Sequence, residues 1–168
     1  MLIPQEVLGI EENTAYLIKE FKLPKFNSPR HFHTEYELII IKSSFGKLYI
    51  GDIIEDFKEG DVFLIGPHLP HCFYNTREFE ITGAMAHAIV IQFKPDFLGH
   101  DFLELVETRE IADMFLRSVK GISFDKITAS YANEQIVQLL DIPRSYSSLL
   151  HLLSLLGHLA EKKQYRVL

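Results

Sequence analysis

The sequence has 168 residues, of which 47% are hydrophobic, and its formal net charge is −6. This length fits one compact domain, or one domain with a helical appendage, and the apolar content excludes a predominantly disordered chain. An acidic chain without a Lys/Arg-rich run is not expected to present a nucleic-acid-binding surface of its own. The single cysteine, Cys72, excludes an internal disulfide.

Targeting and membrane signals are not found in the sequence. Residues 1–6 lack a basic segment followed by an apolar core, so no signal peptide is predicted. The most apolar stretch, residues 149–159, is interrupted by two histidines and a serine and is too short to span a bilayer. We therefore expect a cytoplasmic protein without a membrane partner.

The first 95 residues show short β-type runs separated by turn signals. Strands are predicted for residues 14–21, 31–41, 47–50, 53–57, 62–65, 71–74, 79–81 and 86–93. Residues 43–46 are predicted to form a turn, and Gly51-Asp52 a tight hairpin. This even spacing predicts a β-sandwich or small barrel.

After residue 95 the apolar residues recur with helical spacing. Helices are predicted for residues 96–119, ending at an αL cap on Gly121, for 125–140, and for 145–163. Residues 122–124 are predicted to be an extended link. The last helix is apolar around most of its circumference, so it must contact more than one neighbour. It can pack on the barrel and the preceding helix, and it can also form a dimer interface, for which the candidates are Leu149, Leu152, Leu153 and Leu156.

Two histidine motifs bracket the central strands. Side chains alternate along a strand, so His31, His33, Glu35 and Glu37 can all project to one side, and His71 follows at the end of the second motif. Imidazoles and a carboxylate that converge on one cavity suit a divalent metal such as Zn, Ni, Mn or Fe(II). They can equally bind a polar small molecule.

Both motifs resemble those of cupins. His31, His33 and Glu37 match the HxH and Glu of the first cupin motif, and Gly60, His71 and Asn75 match the second. Gly66 stands where the family has Pro, and His68 stands where it has Gly. The resemblance implies a mainly β, cupin-like jelly-roll barrel over residues 1–95, with metal ligands His31, His33, Glu37 and His71.

A wider resemblance covers almost the whole chain. The segments His33-x-x-Tyr36-Glu-Leu38, 60–71, Val90-Ile-Gln-Phe93, 121–124 and 149–160 resemble the N-terminal sensory half of AraC-type transcriptional regulators. This resemblance implies an effector-binding barrel, about three dimerising helices over residues 96–168 in the same structural unit, and a DNA-binding helix-turn-helix module after residue 168. The partners it implies are a small-molecule effector, a second copy of the chain and, through the missing module, DNA.

Four further residues are candidates for contact with an effector. Aromatic walls around a few polar anchors are typical of small-molecule pockets, and the candidates are Tyr36, Phe73, Glu35 and His68. Sensory domains of the resembled family commonly bind organic effectors without metal, so the metal and the organic interpretation both stay open. A stand-alone metal-dependent cupin enzyme, of the dioxygenase or isomerase type, is the alternative function. The leucine-rich helical tail and the lack of a nucleophile motif favour the regulator.

Overall fold

The computed structural model describes residues 3–168, so the first two residues of the segment considered for a signal peptide lie outside the described part. Within residues 3–168 there are nine strands: β1 (Leu17–Leu23), β2 (Tyr36–Ser43), β3 (Phe45–Ile50), β4 (Ile53–Lys58), β5 (Val62–Ile65), β6 (His71–Asn75), β7 (Ala86–Phe93), β8 (Ile122–Phe124) and β9 (Tyr165–Val167). The same residues form four α-helices: α1 (Arg77–Thr82), α2 (Arg109–Arg117), α3 (Lys126–Asp141) and α4 (Tyr146–Lys162). Short 3-10 helices cover His100–Glu104, Val106–Thr108 and Ser118–Lys120.

The strands form two antiparallel sheets. The larger has the order β1-β7-β2-β5-β8-β9, and the smaller has the order β4-β3-β6. The predicted hairpin at Gly51-Asp52 is confirmed, because β3 pairs with β4 across it. The predicted fold class, mainly β and cupin-like with C-terminal helices, is also confirmed, although the two sheets do not close into a continuous barrel.

Two hydrophobic cores share the larger sheet. One face packs against the smaller sheet through residues such as Ile39, Ile41 and Phe73. The other face packs against helices α2 to α4 through residues such as Leu38 and Ile40. Strand β2 is therefore buried on both faces, as its continuous apolar run predicts. Each Leu or Ile side chain removed from water in this way stabilises the fold by roughly 1.5–3 kcal/mol.

Two predicted elements of the sheets are wrong. Residues 79–81 are not a strand but part of helix α1, which begins after Thr76 with acidic residues in its first turn and ends at Gly83 in the αL conformation. Residues 43–46 are not a turn, because β2 runs to Ser43 and β3 starts at Phe45, so the chain passes between sheets at Ser44. Gly46 allows this close crossing, since a Cβ there would collide with the Tyr74 carbonyl.

The C-terminal part contributes strands as well as helices. Residues 122–124 form strand β8, which pairs with β5 and with β9, rather than a free link. The single helix predicted for residues 96–119 is instead two 3-10 turns followed by α2. Gly121 is not an αL cap: its φ of 83° is positive, but its ψ of 145° lies outside the αL region. The predicted helices at 125–140 and 145–163 are confirmed as α3 and α4.

Two of the four leucines of helix α4 that were predicted to form a dimer interface lie in the core. Leu152 and Leu156 are fully buried within the chain's own core against the sheet and the other helices. They have no surface left for a partner, so their assignment to a dimer interface is wrong. Leu149 and Leu153 are only partly buried. The helix begins after Ser145, whose side chain forms a capping box with Ser148.

Candidate functional site

Three histidines meet at one end of the space between the sheets. His71 begins β6, and its backbone exchanges two hydrogen bonds with His31, at 2.9 and 3.1 Å. His33 lies two residues beyond His31, on the same side of the extended chain. One ring nitrogen from each of these three residues lies within 4.8 Å of the others.

Backbone carbonyls fix the tautomer of all three rings. The Nδ1 atoms of His31, His33 and His71 lie 2.8, 3.0 and 2.8 Å from the carbonyl oxygens of Pro29, Glu35 and Leu69. A carbonyl only accepts, so each Nδ1–H donates to it and each neutral ring keeps a lone pair on Nε2. Within residues 3–168 the buried Nε2 of His71 has no hydrogen-bond partner. Buried atoms of this kind require an explanation, and a bound ion is one.

Glu37 lies beside two of these imidazoles. Its carboxylate oxygens are 3.3 Å from Nε2 of His33 and 3.5 Å from Nε2 of His71, and Gln92 donates a hydrogen bond to it at 2.7 Å. The 3.5 Å contact with His71 is at the limit of hydrogen-bond distance, and the Nε2 atom of His71 is without a hydrogen-bond partner among the described residues. Burial alone would raise the pKa of Glu37, but the two imidazoles hold that pKa well below its ordinary value.

The contact between Glu37 and His33 also shifts the pKa of His33, in the upward direction. Burial would lower the pKa of His33, but the Glu37 carboxylate raises it above its ordinary value. A proton on the imidazole, or a metal ion between the Nε2 atoms and the carboxylate, would stabilise the ionised form of Glu37. The site therefore favours added positive charge, supplied by a proton or by a metal ion.

The donor set fits a divalent metal. Three imidazoles with free Nε2 lone pairs, their other nitrogens held by outer-shell acceptors, are typical ligands of Zn, Ni, Mn or Fe(II). His31, His33 and His71 would hold the ion. Glu37, predicted as a fourth ligand, falls outside the group of atoms within 4.8 Å among the described residues, although it contacts two of its members.

A cavity of about 230 Å³ opens from the histidine cluster between the sheets. His31, His71, Glu37 and Gln92 form its polar end. Its other walls are mainly apolar and include Phe21, Leu23, Phe26, Ile39, Phe73 and Val90. Lys19, on β1, is the only lysine or arginine among the described residues that line it.

The four candidates for effector contact lie in three different places. Phe73 lines the cavity. Tyr36 stacks on Phe93 and on Phe115, whose ring centroid is 4.3 Å away, in the core beneath the helices. Glu35 and His68 line a second, separate groove, in which Glu35 is buried.

A bend at residues 34–35 explains these positions. Strand β2 begins only at Tyr36, so the predicted strand over 31–41 is interrupted. The bend turns Glu35 away from the side shared by His31 and His33, and the prediction that all four residues share one face is wrong for Glu35. Beyond the bend, alternation along β2 sends Glu37 to the cavity and Tyr36 to the helices.

Several lining residues were missed by reasoning from the sequence. Gln92 is a polar residue inside the apolar run of β7, and Lys19 lies between Leu17 and Phe21 on the same face of β1. Either pattern could have identified the residue as a cavity candidate from the sequence. The sequence around Glu6 gives no such indication, because Glu6 precedes every regular strand. Its Oε2 atom lies 3.0 Å from Nε2 of His31.

Comparison with known families agrees with this architecture. The AraC-like ligand binding domain model matches residues 17–164. The chain belongs to this family. Membership identifies residues 17–164 as an AraC-like ligand-binding domain. No curated protein matches the chain.

Several solved structures are similar to the chain at low sequence identity. ToxT from Vibrio cholerae, in its apo K231A form, has a TM-score of 0.55 at 12% identity, covering 91% of this chain and 57% of ToxT. A cupin 2 barrel protein from Rhodopseudomonas palustris gives 0.41 at 22% identity, covering 51% and 57%. Oxalate decarboxylase from Bacillus subtilis gives 0.41 at 16%, covering 61% and 28%. The chain thus spans little more than half of ToxT. Within residues 3–168, none of the helices combines the length and apolar character needed to cross a bilayer.

Proposed function

We propose that this domain senses a small effector for a cytoplasmic AraC-type transcriptional regulator that acts as a homodimer. The observation that carries the proposal is the cavity between the two sheets, with apolar walls and three preorganised imidazoles at one end. In the whole protein, effector binding would change how a helix-turn-helix module following this domain engages DNA.

The lining of the cavity narrows the class of effector. Its volume of about 230 Å³ is below the usual range of about 300–1,000 Å³ for ligand pockets, which favours a small molecule. The walls suit an apolar body, while Lys19 and the polar end suit an anionic group. ToxT, which has a similar fold, has been solved bound to (E)-4-(8-methylnaphthalen-1-yl)but-3-enoic acid, an aromatic ligand with a carboxylate. We infer an effector of this chemical type, an apolar acid.

Two matched probes test the effector class. 1-Naphthoate carries the negative charge, and 1-naphthalenemethanol has the same ring system without it. We expect the wild-type chain to bind both, and Lys19→Met to weaken naphthoate binding by about tenfold while sparing the alcohol, because a charge-assisted contact is lost. Lys22→Met is the control, since Lys22 lies on the outward face of β1 beside Glu20. Failure to bind either probe, or equal losses for both in Lys19→Met, would contradict the proposal.

The imidazole cluster supports a divalent metal held by His31, His33 and His71. Such an ion would supply a Lewis-acidic position for an oxygen of the effector at the polar end of the cavity. Metal analysis of protein purified after growth with Zn, Ni and Fe tests this, with His33→Ala as comparison. We expect stoichiometric metal in the wild type and none in the variant. Wild-type protein without stoichiometric metal would refute the metal site.

The outer side of α4 supports a dimer contact through Leu149 and Leu153, the two predicted interface leucines that the core leaves partly exposed. Replacing both with Glu is expected to convert a dimer into a monomer, as measured by light scattering. Leu152 is the wrong position for this test, because its replacement would disrupt the core. A monomeric wild type, or a dimer that survives the double replacement, would contradict this interface.

A further inference from the structure

The second groove lies outside the cavity, at the point where β2 begins and β7 ends. Its volume is about 400 Å³, and among the described residues it shares no lining residue with the cavity. Its lining is mainly polar, and the polar side chains are those of Thr34, Glu35, His68, Lys94, Asp96 and His100.

Glu35 contributes a buried carboxylate to this groove. The residue is 9% exposed. Its Oε2 atom is 4.0 Å from Nδ1 of His33, too far for a hydrogen bond, and the Nδ1–H donates to the backbone carbonyl of Glu35 instead. Within residues 3–168 the carboxylate accepts no hydrogen bond. Since a carboxylate so deeply buried normally has donors around it, the position of Glu35 indicates a donor from outside the chain.

Lys94 is the residue that the strand register would pair with Glu35. Antiparallel pairing of β2 with β7 ends at Tyr36 and Phe93, so one further step would set Glu35 opposite Lys94. The chain turns at this point, because the Phe97 N–H donates to the Lys94 carbonyl at 3.2 Å. In the part of the chain that the structure describes, the half-buried Lys94 forms no ion pair with Glu35 or with another carboxylate.

A carboxylate and an ammonium that share a groove without pairing favour a ligand that carries both charges. An α-amino acid has its ammonium and carboxylate on the same carbon, so it can lie between Glu35 and Lys94 and form a charge-assisted hydrogen bond with each. A metal ion fits less well, since no three His, Asp or Glu side chains of the groove come within 4.8 Å of one another among the described residues. The Thr34 hydroxyl and the imidazoles of His68 and His100 suit a short polar side chain on the ligand.

We infer that the second groove is a binding site for a small polar α-amino acid, in which Glu35 accepts from the ligand ammonium and Lys94 donates to the ligand carboxylate. The domain then has two ligand sites, and this one does not rest on the effector cavity or on the metal proposed for the histidine cluster.

Three matched probes test the inference by NMR titration of the 168-residue chain. L-serine carries both charged groups, ethanolamine lacks the carboxylate, and 3-hydroxypropanoate lacks the ammonium. We expect saturable binding of L-serine with a Kd of about 1 mM, shifting the amide signals of Glu35 and Lys94. The other two probes should bind at least about tenfold more weakly, because each loses one charge-assisted contact. Absence of saturable L-serine binding, or equal affinity for all three probes, would overturn the site and leave the Glu35 carboxylate hydrated by water alone.

Two replacements assign the two contacts. Glu35→Gln keeps the shape of the side chain and should weaken binding of L-serine and ethanolamine by about tenfold while sparing 3-hydroxypropanoate. Lys94→Met should weaken L-serine and 3-hydroxypropanoate while sparing ethanolamine. Glu12→Gln and Lys22→Met are the matched controls, exposed residues that do not line the groove, and both should match the wild type.

Circular dichroism separates loss of a contact from loss of the fold. An equal loss of all three probes in a folded Glu35→Gln or Lys94→Met variant, or wild-type affinity for L-serine in both, would overturn the roles assigned to the two side chains. Should either variant fail to fold, the comparison of the three probes on the wild-type chain still decides whether the groove recognises both charges.

Discussion

Replacing Leu156 with Ala tests whether sheets and helices form one cooperative unit. Leu156 is fully buried between the larger sheet and helices α2 to α4, in a core that also contains Leu38 and Ile40 of β2. Truncating a buried leucine removes its transfer free energy and leaves a cavity, with a cost of about 2–5 kcal/mol. Taking about 3 kcal/mol, and about 2–4 °C per kcal/mol for a chain of this size, we expect Tm to fall by about 6–12 °C.

Urea unfolding gives the measurement. Far-UV circular dichroism follows helices and strands, and tyrosine fluorescence follows tertiary structure, since the chain has no Trp. The two signals should change together in Leu156→Ala, at a lower midpoint than in the wild type. Leu150→Ala is the control, because Leu150 lies on the same helix but is 44% exposed, and we expect a change within about 0.5 kcal/mol. Equal effects of the two replacements, or separate transitions for sheets and helices, would refute the shared core.

Three further replacements test local features of the fold by the same urea measurement. Ser145→Ala removes the N-cap of α4, whose side chain accepts from the Ser148 N–H, and should destabilise by about 1 kcal/mol, whereas Ser147→Ala next to it should not. Asn75→Ala should cost about 3 kcal/mol, because the buried amide joins the Phe26 N–H, the Ser44 hydroxyl and the Phe45 carbonyl. Gly66→Ala should cost about 1–3 kcal/mol, because its Cβ would lie 2.7 Å from the Ser118 carbonyl oxygen. An unchanged midpoint in any of the three would contradict the contact named for it.

The fold was predictable where a signal extends over many residues. The apolar run of β2, the helical periodicity of α3 and α4, and the Gly51-Asp52 hairpin each follow from local pattern. Helix α1 was not predictable as a helix, because six residues around Phe79 are too few to distinguish two periods. The crossing between sheets at Ser44 depends on which strands pair, and local residues do not encode that.

The site was predictable to the extent that it follows a motif. Spacing within the motifs correctly indicated that His31, His33 and His71 converge. A bend that the residue types do not predict turns Glu35 toward a second groove, where it remains buried. Lys19 and Glu6 reach the cavity only through tertiary register, one by pairing of β1 with β7 and the other by the bridge to Phe32.

Strand β2 connects the cavity to the helices. Ile39 lines the cavity, and Ile40, the next residue, is fully buried against the helices. A ligand that favours one position of β2 would therefore favour one packing of the helices, within the limit set by its differential affinity. Replacing Ile40 with Val removes a methyl group that does not line the cavity. We expect this variant nevertheless to change 1-naphthoate affinity by about two- to tenfold, a coupling of about 0.5–1.4 kcal/mol.

Ile122→Val separates coupling from general loosening of the core. Ile122 is also fully buried on the helix side of the same sheet, but it lies on β8, which contributes no residue to the cavity wall among the described residues. Both replacements should destabilise the chain by about 0.5–1.5 kcal/mol. Only Ile40→Val should alter naphthoate binding, measured by titration calorimetry. Equal changes in affinity would indicate loosening of the whole core, and no change in either would show that β2 does not transmit the position of the ligand to the helices.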